Sequence, residues 1–112
     1  MELETVEEWA LSLAASKLPV IVEGKRDVSS LKELGVEHVF CLNKEPLYKV
    51  IETMASHSKK VVLLTDFDKE GKKLYGVLSS GLSRHGVVVD RFYREWLQKN
   101  TEASTIEGLK AT

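Results

Sequence analysis

Three acidic residues follow a continuous apolar run in the second half of the chain. The run VVLLT at 61–65 is succeeded by Asp66, Asp68 and Glu70. Carboxylates that crowd within about 4 to 6 Å repel one another, so at least one keeps its proton through a raised pKa unless a cation neutralises the group. Carboxylate oxygens suit Mg²⁺ or Mn²⁺ and not Zn²⁺, for which the sequence contains no convincing set of His and Cys. The segment therefore predicts a divalent metal site.

A fourth acidic residue ends another short apolar run nearer the N-terminus. The run PVIV at 19–22 leads into Glu23 and Gly24, as expected for a strand buried on both faces. In an open parallel sheet the ligand site lies beyond the carboxyl ends of the strands where the winding reverses, and in the flavodoxin-like order these are the first and third strands. Those strands end at Glu23 and Asp66. We therefore expect the two acidic segments to meet at one edge of the sheet.

The elements that position these acids alternate between helix and strand. Thr5 and Glu8 form a capping box before the first helix, and Asp27 is expected to cap the second. The predicted elements are helix 5–16, strand 19–22, helix 27–34, strand 38–42, a helix from Pro46, strand 61–65, helix 69–85 and strand 87–90. The segment after Arg91 is left unassigned. Buried strands that alternate with helices predict an α/β protein with a parallel sheet and helices on both faces.

Basic residues surround both acidic segments. They are Lys25, Arg26, Lys69, Lys72 and Lys73. An acidic centre with a basic rim suits a phosphodiester bridged by a metal ion. The three lysines fit the exposed face of a helix equally well, which is the usual position of charged residues there. Arg91 and Arg94 likewise fit either a contact with a nucleic-acid strand or a solvated helix face.

The composition is that of a water-soluble globular protein. The chain has 112 residues, 43% of them hydrophobic and 29% charged, which is enough for one core and argues against disorder. The net charge of −1 means that a nucleic-acid partner needs a local basic patch. The acidic N-terminus does not resemble a secretory signal, and no apolar run approaches the roughly 20 residues of a membrane span. With Cys41 as the one cysteine, we expect a cytoplasmic protein without a disulfide.

Two segments together resemble the Toprim domain. They are VEGKRD at 22–27 and TDFDKEG at 65–71. This domain is shared by topoisomerases, bacterial-type primases, overcoming-lysogenization-type nucleases and a ribosomal-RNA maturation nuclease. Its signature joins a Glu-Gly after the first strand to an Asp-x-Asp after a later one, here Glu23 and the pair Asp66 and Asp68. The resemblance is to stand-alone small Toprim proteins of archaea and bacteria in particular.

The resemblance implies a three-layer Rossmann-like fold with a central four-stranded, mainly parallel sheet and helices on both faces. Glu70 and Gly71 extend it toward the Asp-x-Asp-x-Glu-Gly form of the single-strand-cutting topoisomerases, whereas Phe67 and Lys69 stand where those enzymes tend to carry Pro and Arg. Two roles therefore fit Glu70 equally well: a metal ligand, or a solvated acid in the first turn of a helix. We expect one Toprim domain over 1–112, with a core at 19–92, an N-terminal helix at 5–17 and a C-terminal extension at 93–112.

The resemblance also implies roles for the matched acids. Glu23 would act as general acid or base or as a ligand, and Asp66, Asp68 and Glu70 would join it in holding one or two Mg²⁺ or Mn²⁺ ions. We expect a small nuclease that acts on RNA or DNA, in RNA processing or DNA repair. The alternatives are a nucleotidyl-transfer module like those of primases and topoisomerases, or a non-catalytic nucleic-acid-binding or adaptor module.

The two leading alternatives predict different surfaces. An enzyme should have a strand-binding groove that leads to the acids. An adaptor should have an exposed apolar patch for its protein partner, for example around 92–97. Whether the chain forms a homodimer is left open at this stage.

Overall fold

The alternation of helix and strand extends over nearly the whole chain. A computed structural model describes residues 2–103, 105–106 and 108–109. Its elements are α1 (Val6–Ser16), β1 (Val20–Val22), α2 (Lys25–Glu33), β2 (Val39–Cys41), α3 (Leu47–His57), β3 (Lys60–Leu63), α4 (Lys69–Arg84), β4 (Val88–Asp90) and α5 (Phe92–Asn100). The predicted α/β class is confirmed, and α5 occupies the segment that sequence patterns left unassigned. No helix of the described residues is long and apolar enough to cross a membrane.

The four strands form one sheet in the order β2-β1-β3-β4, and every neighbouring pair is parallel. Strands β1 and β3 therefore occupy the centre, with Val20 opposite Val62 and Ile21 opposite Leu63. All of β1 is buried, as expected for a short and wholly apolar run. Because parallel strands point the same way, the carboxyl ends of β1 and β3 lie side by side.

The two faces of the sheet bury separate apolar clusters. Val20 and Val22 of β1 contribute to one cluster and Ile21 to the other, because successive side chains of a strand point to opposite faces. The first cluster contains Trp9, Leu13, Leu31 and Leu97 from α1, α2 and α5. The second contains Ile51, Met54, Leu78 and Leu82 from α3 and α4. The structure thus has three layers, with helices on both faces of the sheet.

Both ends of the described chain pack against the first of these clusters. The capping box at α1 is formed: Thr5 Oγ1 accepts from the Glu8 N–H at 3.1 Å, and Glu8 Oε1 accepts from the Thr5 N–H at 3.1 Å. Trp9 is buried and donates from Nε1 to the carbonyl of Tyr93 at 3.0 Å. Ile106 is also buried in this cluster. Of the described residues after α5, Ala103, Ile106 and Leu109 therefore lie against the core.

The start of α2 differs from the sequence-based expectation. The helix begins at Lys25 and its N-cap is Gly24, so Asp27 lies in the third helical position and is not the N-cap. Asp27 is buried, and its carboxylate accepts a hydrogen bond from the Gly24 N–H at 3.1 Å. It therefore caps the helix by reaching back one turn. The expectation placed the helix start too late because Gly24 has no side chain to signal a cap.

Candidate functional site

The first and third strands bring Glu23 and Asp66 into contact. Glu23 follows β1, Asp66 follows β3, and Glu23 Oε2 accepts a hydrogen bond from the Asp66 N–H at 2.7 Å. The strand order explains this contact, because β1 and β3 are parallel neighbours. The two acidic segments meet at one edge of the sheet, which is called the acid edge below and is defined by Glu23, Asp66 and Asp68.

Asp68 begins the helix that follows. It is the N-cap of α4, and its Oδ1 accepts from the Gly71 N–H at 2.7 Å. Asp68 is exposed, and its carboxylate lies at the positive end of the helix dipole. Asp68 therefore caps α4, and any role as a metal ligand would be additional to this one.

Asp66 is held on three sides. Its N–H is bound by Glu23, its carbonyl accepts from Arg94 Nη2 at 2.8 Å, and its Oδ1 accepts from the Ile106 N–H at 2.9 Å. Asp66 Oδ2 has no hydrogen-bond partner among the described residues. A carboxylate fixed through one oxygen presents its other oxygen in a defined direction.

The oxygen donors of the acid edge fit a hard divalent cation. Glu23, Asp66 and Asp68 each use one carboxylate oxygen to accept a backbone N–H. The second oxygen of each would be available to a cation such as Mg²⁺, which prefers oxygen ligands and usually keeps several waters. In the described part of the chain, no three acidic, His or Cys side chains converge closely enough to hold one ion. Binding through one or two carboxylates and water is therefore the arrangement that suits these residues.

The surroundings of Glu23 raise its pKa, mainly through burial. Burial raises the pKa of Glu23 above its usual value, the hydrogen bond from the Asp66 N–H opposes that rise, and the charges of Asp66, Asp68 and Asp27 add to it. Asp27, which sequence analysis left outside the site, therefore contributes to its electrostatics. A carboxyl group whose pKa moves toward neutrality is better suited to proton transfer.

The first turn of α4 packs directly against the loop that carries the aspartates. Thr65 Oγ1 donates to the carbonyl of Gly71 at 2.8 Å. A Cβ atom on Gly71 would lie 2.0 Å from the carbonyl oxygen of Asp66, far inside van der Waals contact. Position 71 therefore needs glycine for close approach of the helix to the acid edge.

A family model of the Toprim domain matches residues 19–89 of this chain. The chain belongs to the Toprim domain family. This membership connects it with metal-dependent functions on nucleic acids, and Toprim domains generally bind Mg²⁺ through acidic residues.

Relatives with similar sequences cover most of the same length. UPF0292 protein MJ1624 of Methanocaldococcus jannaschii is 39% identical over 111 residues, which span 96% of this chain and 85% of the relative. A UPF0292 protein of Methanosarcina acetivorans is 34% identical over 113 residues, spanning 96% and 78%. A solved structure of a protein from Aquifex aeolicus aligns with a TM-score of 0.83 and 27% identity over 94% of this chain and 98% of that one. The resemblance in sequence and fold thus extends beyond the Toprim signature.

The remaining acid and the basic residues predicted around the acids lie at the starts of α2 and α4. All of them are exposed: Lys25, Arg26, Lys69, Glu70, Lys72 and Lys73. Both helices begin at the acid edge, so their first turns lie beside it. The exposure of these side chains is compatible with contacts to phosphate and with an ordinary solvated helix face. Their roles stay predictions.

Arg94 is the residue near the Toprim acids that sequence analysis misjudged. It is 7% exposed, so the expectation of a solvated helix face is wrong. Burial lowers its pKa from the usual value, and nearby groups including Asp66 oppose this change. A signal was present in the sequence: Tyr93, Arg94 and Leu97 share the buried face of α5 at helical spacing.

The two possible roles of Asp68 can be separated by paired substitutions. Asp68→Ala should lower the free energy of unfolding by about 1 kcal/mol, because the cap to the Gly71 N–H is lost. Asp68→Asn should be nearly neutral, because asparagine caps helices as well as aspartate does. Urea unfolding measures both effects, and Asp68→Ala as stable as the wild type would contradict the cap. Calorimetric titration with Mg²⁺ then tests the ligand role, since unchanged affinity in Asp68→Asn would leave Asp68 a cap alone.

Proposed function

We propose that this Toprim protein is a Mg²⁺-dependent nuclease that cleaves phosphodiester bonds of RNA or DNA. The observation that carries the proposal is the hydrogen bond between Glu23 Oε2 and the Asp66 N–H at 2.7 Å, which joins the two halves of the Toprim signature. In this proposal the catalytic residues are Glu23, Asp66 and Asp68, and the two aspartates hold the metal ion. RNA processing and DNA repair are the settings that such an activity would serve.

Glu23 is proposed to carry the proton in the reaction. Its raised pKa and its second oxygen, Oε1, suit it to take a proton from the water that attacks phosphorus. The bond from phosphorus to the leaving oxygen breaks, and that oxygen keeps the bonding electrons and takes a proton from solvent. Asp66 and Asp68 would hold Mg²⁺ or Mn²⁺. When bound, the ion would neutralise negative charge on the phosphoryl group. The hydrogen bond to the Asp66 N–H keeps the Glu23 side chain oriented toward the same edge.

The surface around the acids is open enough for a nucleic-acid strand to approach. Asp68 and Glu70 are exposed, and Glu23 and Asp66 are partly buried, so a strand of phosphates can approach this edge without entering a cavity. The five basic residues at the starts of α2 and α4, which are Lys25, Arg26, Lys69, Lys72 and Lys73, would bind flanking phosphates. Concavities on the described surface lie between α3 and α4, beside β2, along β4 and on α5, and none of these is lined by Glu23, Asp66 or Asp68. Strand binding would therefore depend on charge more than on enclosure.

The adaptor alternative has less support from the described residues. The apolar patch that it predicted around 92–97 is mostly turned inward, because Tyr93 and Leu97 are buried. Phe92 is 45% exposed and lines a small surface concavity with the partly buried Trp96. We propose nuclease activity ahead of the adaptor role for this reason, and a cytoplasmic location, where Cys41 stays reduced.

The direct test is a cleavage assay with end-labelled single- and double-stranded RNA and DNA in Mg²⁺, Mn²⁺ or EDTA. We expect cleavage that requires metal and falls by about 10²- to 10⁴-fold in Glu23→Gln, because the proton-transfer group is lost. Glutamine still accepts from the Asp66 N–H, so the fold should persist. Glu37→Gln is the matched control, since Glu37 is exposed and precedes β2, near the amino ends of the strands and away from the acids.

Each outcome of this assay has a definite meaning. Metal-dependent cleavage that is lost in Glu23→Gln and kept in Glu37→Gln supports the nuclease and names its substrate. Cleavage that persists in Glu23→Gln contradicts the assigned site. The absence of product in all proteins, together with retained binding of nucleic acid, would favour the adaptor or a nucleotidyl-transfer module.

A further inference from the structure

Helix α5 lies outside residues 19–89 that match the Toprim domain, yet it reaches back to the acid edge. Arg94 Nε donates to the carbonyl of Thr65 at 3.2 Å, and Arg94 Nη2 donates to the carbonyl of Asp66 at 2.8 Å. These two carbonyls are consecutive along the chain just past β3. Because both donors belong to one planar guanidinium, the pair of bonds fixes the direction in which the chain leaves the strand.

Two aromatic rings hold the guanidinium itself in place. Arg94 Cζ lies 4.8 Å from the centre of the Phe67 ring and 4.6 Å from the centre of the Tyr75 ring. Phe67 packs against the cluster on one face of the sheet and Tyr75 against the cluster on the other. Arg94 therefore joins both layers beyond the end of β3. A lysine cannot reproduce this arrangement, because its ammonium is a point charge without a plane to stack or a fork of donors.

The clamp acts on the residues that carry the proposed chemistry. Phe67 lies between Asp66 and Asp68, so the stacking of its ring constrains the backbone of both aspartates. Asp66 is bound at its carbonyl by Arg94. Arg94 itself is 7% exposed, which leaves little of its surface for contact with a nucleic-acid strand. Its influence on the acid edge is therefore indirect.

We propose that Arg94 is the positioning residue of the acid edge: it holds the 65–67 backbone and the Phe67 ring so that Asp66 and Asp68 present their second oxygens to a divalent cation. This inference rests on the proposed function only where it gives the bound cation a role in cleavage. The geometry of the clamp does not depend on whether the substrate is RNA or DNA.

The test measures the affinity for Mn²⁺ by electron paramagnetic resonance and, separately, the kinetics of cleavage. Arg94→Lys keeps the charge and removes the planar fork, so affinity for Mn²⁺ should fall by about 10- to 100-fold, as for other residues that orient metal ligands. The value of kcat should fall with it, whereas KM for the nucleic acid should stay near that of the wild type. Arg91→Lys is the matched control on the same element, because Arg91 is the exposed N-cap of α5.

A second pair of variants guards against a failure of Arg94→Lys to fold. Tyr75→Leu removes one ring of the sandwich without touching the loop that carries the aspartates, and Tyr75→Phe restores the ring. Weakened affinity for Mn²⁺ in folded Tyr75→Leu, with recovery in Tyr75→Phe, supports the positioning role, because a loss of packing alone would lower stability without changing the affinity of the acids for the metal.

Other outcomes overturn the inference. Wild-type affinity for Mn²⁺ in a folded Arg94→Lys, or in Tyr75→Leu, means that the clamp serves stability alone. A raised KM with unchanged affinity for Mn²⁺ means that Arg94 contacts the nucleic acid directly. A wild-type protein that binds no Mn²⁺ has no site to position, which also rejects the role. A protein that binds Mn²⁺ but cuts nothing rejects the proposed nuclease while the affinity measurements still decide the role of Arg94.

Discussion

Gly71→Ala is expected to destabilise the protein by about 3 kcal/mol and to disturb the acid edge, as overpacking against backbone does. The added Cβ would lie 2.0 Å from the carbonyl oxygen of Asp66. That oxygen cannot withdraw easily, because Arg94 binds it and Glu23 binds the N–H of the same residue. Relief requires either α4 or the aspartate loop to move. Urea unfolding followed by tryptophan fluorescence measures the loss, and Trp9 in the core reports it.

Two other glycines of α4 are the controls for this prediction. Nothing lies within 4 Å of a Cβ placed on Gly76, so Gly76→Ala should stabilise the helix by about 0.5 to 1 kcal/mol. A Cβ on Gly81 would meet Ile51 Cδ1 at 2.4 Å, but that atom ends a flexible side chain, so the loss should be smaller than at Gly71. If Gly71→Ala proved as stable as Gly76→Ala, close packing of α4 on Asp66 would be refuted.

Asp66→Asn is expected to remove most of the stabilisation that magnesium confers while leaving the metal-free protein at least as stable as the wild type. Asparagine can still accept from the Ile106 N–H through Oδ1, so the contact that holds this side chain is kept. The substitution also removes a negative charge that raises the pKa of Glu23, which relieves repulsion in the folded state. Metal binding should weaken because the variant lacks that same charge.

Thermal melts with and without Mg²⁺ give the measurement. At a metal concentration of about 100 times Kd, a ligand of the folded state adds about 2.7 kcal/mol. For a protein of this size that corresponds to a rise in Tm of about 10 °C. We expect this rise in the wild type and in Glu37→Gln, and little of it in Asp66→Asn. Equal shifts in the wild type and Asp66→Asn would count against Asp66 as a ligand.

The sequence by itself determined the alternation of elements and the meeting of the two signature halves. Apolar periodicity marks each helix and strand locally, and a wholly apolar β1 implies a strand covered on both faces. Parallel strands joined by right-handed crossovers leave few possible orders, so a Glu after β1 and an Asp after β3 were expected at one edge. The contact between Glu23 and Asp66 follows from this topology.

Only the tertiary structure decided how the acid edge is held. The buried Arg94 clamp, the hydrogen bond from the Ile106 N–H to Asp66 and the close approach of Gly71 to the Asp66 carbonyl join segments without any shared local pattern. Arginine is charged and is therefore usually exposed. Arg94 can be buried because its guanidinium donates to two carbonyls that are distant in sequence and contacts two aromatic rings. Local sequence patterns show the spacing of residues along one helix or strand, whereas these contacts depend on how separate elements pack in space.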